Sequence, residues 1–103
     1  MDKIAGLKEI LAVDPGNAFA RYGLALEYVN LGQVETGLAE FEALLAAHPD
    51  YTAGYQMAAQ TLAKVERIPE AIAKLKLGIE SARRAGNGKA LSEMQGMLDE
   101  LDR

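Results

Sequence analysis

Shifted against itself by 34 residues, the chain lays Ile4 on Leu38 and Ile72, Ala5 on Ala39 and Ala73, Leu7 on Phe41 and Leu75, and Leu11 on Leu45 and Ile79. All four sets are apolar in all three copies, and their spacing within a copy (i, i+1, i+3, i+7) marks one face of an amphipathic helix. The same helix therefore occurs three times. Asp14-Pro15 and His48-Pro49 follow the first two copies at equivalent points. A proline there stops the helix, because its ring clashes with the preceding residue and forces an extended step.

A second helix type lies between the copies, over residues 17–31 and 51–64. Asn17 and Asp50 stand where side-chain caps belong. Gly32 follows as a C-terminal glycine able to turn left-handed, and Pro69 lies just inside the start of a later helix. A last amphipathic segment, Lys89–Leu101, carries Ala90, Leu91, Met94, Met97, Leu98 and Leu101 on one side and is introduced by Gly86-Asn87-Gly88. The pattern predicts an all-α chain of about six helices. Composition agrees, since Ala, Leu and Glu are abundant and β-branched residues are sparse. At 103 residues there is room for one core and one domain.

A period of 34 residues built from paired helices resembles the tetratricopeptide repeat (TPR). Residues 18–51 contain Leu24-Ala25-x-x-Tyr28, similar to the Leu-Gly-x-x-Tyr signature of that family, then Gly32 at the turn, Phe41 in the second helix and Pro49 at the close. Residues 52–85 are looser. They keep Tyr55 near the family's Trp site, small residues at Ala59, Ala71 and Gly78, and Leu75, but carry Glu66 for the turn glycine and Arg83 for the closing proline. Gly37 replaces the family's alanine and Arg21 its aromatic, which weakens local helix propensity without disturbing the apolar register. The resemblance implies a right-handed α-α superhelix of helical hairpins: residues 2–15 a half-repeat, 18–51 and 52–85 two full repeats, and 88–102 a capping helix. About three stacked units are normally wanted, so modest stability or self-association is expected.

The resemblance further implies that the first helix of each repeat lines a concave groove. On the helix over 17–31, Leu24, Ala25, Tyr28 and Leu31 form the stripe used for internal contacts, and Phe19, Tyr22, Leu26 and Val29 form a second stripe facing that groove. The matching face of the next first-type helix carries Ala53, Gln56, Gln60, Ala63 and Lys64. Phe19, Tyr22, Leu26, Val29, Gln56, Gln60 and Lys64 are therefore the candidate binding residues, for a peptide or helix of a partner protein. The alternative for the same apolar stripe is burial under a neighbouring helix or a second copy of the chain; two copies joining through that stripe or through the open side of the amino-terminal half-repeat would give a homodimer. A clamp for the C-terminal carboxylates of heat-shock chaperones is not expected, since the matching positions hold Tyr22, Leu26 and Met57.

Other activities find little support. A net charge of -4 disfavours nucleic acid, whose binding needs phosphates neutralised. The first 51 residues carry three basic and eight acidic side chains, the remainder eight and seven. Such charge patterns mark solvated helix faces, or at the sharpest a mildly basic patch for an acidic segment. There is no cysteine, and the single His48 sits in a turn with no second imidazole beside it in sequence, so neither metal nor cofactor is expected. Ser81 and Ser92 lack a nucleophile elbow, and Gly86-Asn87-Gly88 lacks the rest of a phosphate-binding loop. No catalytic residues are expected. With no signal-like start and no stretch of about 20 apolar residues, the chain is expected to be cytoplasmic and away from membranes.

Overall fold

The computed structural model describes residues 2–103, and helices form where the periodicity puts them. They are α1 (Lys3–Val13), α2 (Ala18–Asn30), α3 (Val34–Ala47), α4 (Thr52–Lys64), α5 (Ile68–Ala85) and α6 (Gly88–Leu101). No strand occurs among the described residues.

Local chemistry sets the boundaries. Asp2, Asn17 and Asn87 each accept a backbone N–H of the following first turn, from Ile4 at 3.0 Å, Ala20 at 2.9 Å and Ala90 at 3.1 Å. Such caps satisfy donors that a helix start leaves unpaired. Asp50 does not cap α4, contrary to expectation. Tyr51 occupies the N-cap, and the Asp50 carboxylate instead accepts Nε and Nη2 of Arg84 at 3.0 and 2.8 Å. Both charged N–H donors converge on the same Oδ1 of Asp50.

Three helices end in the same way. Gly32 N–H donates to Val29 O and Gln33 N–H to Tyr28 O; Glu66 to Ala63 and Arg67 to Leu62 follow suit, as do Gly86 to Arg83 and Asn87 to Ala82. This paired closure needs a left-handed residue, here Gly32 (φ +82°), Glu66 (φ +63°) and Gly86 (φ +67°). Leu31, assigned from sequence to the internal stripe of α2, is exposed. The helix stops at Asn30, so Leu31 becomes its C-cap and leaves the helical face.

The helices form two units, one through His48 and one over Pro49–Arg103. In the first, α2 lies between α1 and α3. Leu11, Ala20, Leu24 and Tyr28 make the α1–α2 core, with Ile4 and Leu7 packed on it. Phe41 and Leu44 on α3 are fully buried, and truncation of Phe41 to Ala would cost about 3–5 kcal/mol. In the second unit α4, α5 and α6 enclose Ala59, Leu75, Ile79, Ala82, Ala90 and Met94. Leu91, Met97, Leu98 and Leu101 flank that core, as the stripe on the last helix predicted. Ser81 is wholly buried and its hydroxyl lies 2.7 Å from that of Thr52.

Gly37 and Gly78 lie at close helix crossings. A Cβ on Gly37 would stand 2.5 Å from Val29 Cγ2 and 3.0 Å from Ala25 O; on Gly78 it would stand 2.8 Å from Tyr55 Cβ and 2.5 Å from Met94 Sδ. Sequence alone made Gly37 only a weak spot in a helix. Packing shows that the missing side chain lets α2 and α3 approach.

Candidate protein-interaction surface

In the first unit the candidate face belongs to α2, capped by Asn17 and held between its neighbours. Its four apolar residues fare differently. Phe19 is 76% exposed, in the first turn of the helix. Tyr22 is half-buried, with its ring edge-on to Phe41 at 6.4 Å between centroids and 63° between planes. Val29 is also half-buried, its Cγ2 filling the space above Gly37. Two members of the stripe therefore join the α2–α3 packing while Phe19 projects into solvent. Arg21, where the family has an aromatic, reaches Glu40 on α3 at 2.8 Å with both side chains mostly covered.

Leu26 turns to the other neighbour. With Gly23, Glu27 and Asn30 of α2, and Lys3, Gly6, Leu7 and Ile10 of α1, it borders an open hollow of about 530 Å³ that also touches Asp2. A second hollow, about 390 Å³, lies along α1 between Gly6, Glu9, Ile10, Val13, Asp14 and Asn17. The sequence reading missed both. The available signal was the pair Gly6 and Gly23, which removes two side chains from facing helices.

In the second unit the polar candidates sit on α4. Gln56 is half-buried and donates from Nε2 to Glu93 Oε1 of α6 at 3.3 Å; Gln60 and Lys64 are exposed. Met57, adjacent to this face, offers its backbone carbonyl to Thr61 Oγ1 at 2.8 Å. A ligand engaging Gln56 would have to displace or join the Glu93 carboxylate.

His48 Nε2 donates to Gly16 O at 3.0 Å, tying the turn between α1 and α2 to the end of α3. Among the described residues no group of three or more His, Asp or Glu side chains is placed to hold a metal ion. Among the described residues no helix is long and apolar enough to cross a membrane.

No protein-family model matches the chain. A TPR repeat-containing protein of Pseudomonas aeruginosa is 28% identical over 100 residues, spanning 97% of this chain and 95% of its own length. The solution structure of a tetratricopeptide repeat domain protein from Salinibacter ruber is 34% identical, with a TM-score of 0.80 over 84% of this chain and 88% of that one. A protein from Bordetella parapertussis, 23% identical, shares the fold with a TM-score of 0.83 over 100% of this chain and 90% of its own. With paired helices at a 34-residue period and a relative of this identity and coverage, the chain belongs to the tetratricopeptide repeat family.

Proposed function

We propose that the chain is a non-catalytic protein-interaction module. It consists of the half-repeat 2–15, the repeats 18–51 and 52–85 and the closing helix 88–102, and binds a peptide or helix of a partner protein. The observation that carries the proposal is Phe19: a large aromatic, 76% exposed, beside the half-buried Tyr22 and Leu26 on a first-type helix. Exposed aromatics with a packed surround make good anchors, because burying one on binding recovers roughly 2 kcal/mol or more. Val29 completes that apolar face of the first unit; on the second unit Gln56, Gln60 and Lys64 of α4 are the candidates for hydrogen bonds and a cation to a partner. The family's general role in protein–protein contacts supports the reading.

Self-association through the same stripe is the alternative. Tyr22 and Val29 already pack on α3, so the surface left over suits a short anchor segment better than a helix-long dimer seam. A peptide library selected on immobilised chain tests the proposal. Selected peptides should move the amide resonances of Phe19, Tyr22, Leu26 and Gln60 and lose at least about tenfold in affinity to Phe19→Ala, a loss of about 1.4 kcal/mol. Shifts confined to α3 and α5 would reject this face.

A further inference from the structure

We propose that a second copy of this chain docks two-fold on the open face of α1, so that the two α1 helices run antiparallel across each other at Gly6 and Ile10.

The open face is identified by the repeat itself. Lys3 corresponds to Gly37 and Ala71, and Ile10 to Leu44 and Gly78, in steps of 34 residues. All four later residues are buried. Gly37 lies under Ala25 and Val29 of α2, and Gly78 under Tyr55 of α4. Thus α3 and α5 each carry an antiparallel first-type helix over this face. On α1 no described helix covers it: Ile10 is 46% exposed and Val13 88%.

Shape and charge select the occupant. The vacant seat calls for a helix antiparallel to α1, as consecutive helices joined by short turns are. A two-fold axis perpendicular to α1 supplies one, namely α1 of the second copy. Gly6 and Ile10 border both hollows, and nothing lies within 4 Å of where a Gly6 Cβ would be. The antiparallel arrangement sets Ile10 of each copy over Gly6 of the other, a knob against a hole.

With Gly6 set over Ile10, Lys3 of one copy lies opposite Val13 and beside Asp14 of the other, whereas a parallel arrangement would set like charges together. Asp2 falls opposite Asp14 in this register, but its carboxylate caps its own helix by accepting Ile4 N–H and Lys3 stands between the two; Lys8 lies over the Tyr28 ring at 5.9 Å, away from the seam. Head-to-tail stacking on α6 fits poorly. The outer side of α6 carries exposed Ser92, Gln95 and Asp99, the polar face of a closing helix.

This interface shares only Leu26 with the partner-binding face, so either can fail without the other. Sedimentation equilibrium of the full chain from about 1 µM to about 1 mM should show mass rising from 11.1 kDa to twice that value, with a midpoint in the micromolar range expected of a small interface. Ile10→Glu should raise the dissociation constant at least about 30-fold with unchanged helical circular dichroism. Lys3→Glu should weaken pairing, and adding Asp14→Lys should restore it. Phe19→Ala should associate as the parent chain does. A constant mass of 11.1 kDa overturns the proposal. So does wild-type association by Ile10→Glu, failure of the charge exchange to rescue, or loss of association in Phe19→Ala.

Discussion

Glu66 holds φ at +63° at the position where the preceding repeat has Gly32. A side chain in the left-handed region costs about 1–2 kcal/mol, partly offset by the freedom glycine would regain on unfolding. Glu66→Gly should therefore raise stability by about 0.5–1 kcal/mol, read as a higher urea midpoint at constant slope. Gly37→Ala should act in the opposite sense. The roughly 1 kcal/mol gained in helix propensity is outweighed by forcing a methyl against Val29 and the Ala25 carbonyl, for a net loss of about 1–3 kcal/mol in thermal or urea unfolding. The missing turn glycine could be seen by aligning the repeats. That the chain keeps the left-handed closure regardless, and that Gly37 serves a crossing, could not, because both depend on what packs opposite.

Among the elements, helix placement was legible nearly to the residue, because apolar period, prolines and glycines all point the same way. Caps were less so. Asn17 was found, but Asp50 was lost to Arg84, a competitor distant in sequence. The start of α5 gives a test by titration. Arg67 forks onto Glu70, Nε to Oε1 at 2.9 Å and Nη2 to Oε2 at 2.8 Å, and this hydrogen bonding holds the Glu70 carboxyl below its usual value. A lowered folded value means that the pair's stabilisation is fully present above the ordinary glutamate range and fades as pH falls through the folded value. Carboxyl-carbon NMR should place the Glu70 midpoint below 4.5, and Arg67→Ala should move it upward. In α6, Gly96 has open space where a Cβ would go, so Gly96→Ala should add about 1 kcal/mol of helix stability, seen as a raised thermal midpoint.

At the scale of the whole molecule, function was less legible than fold. The stripe Phe19, Tyr22, Leu26 and Val29 was visible from spacing, yet its division between solvent, α3 and the hollow beside α1 follows from crossings that no single helix encodes. Phe19→Ser should leave global stability within about 0.5 kcal/mol, since the ring projects into water; a larger loss in urea unfolding would show the ring to be structural. The hydroxyl pair of Thr52 and Ser81 acts on the second unit as a latch. Apolar faces such as those of α4 and α5 tolerate slippage, because one methyl group substitutes for another after a shift of a turn. A one-turn slide would strand the wholly buried Ser81 hydroxyl at about 1–3 kcal/mol, so this contact singles out one alignment among several greasy near-equivalents.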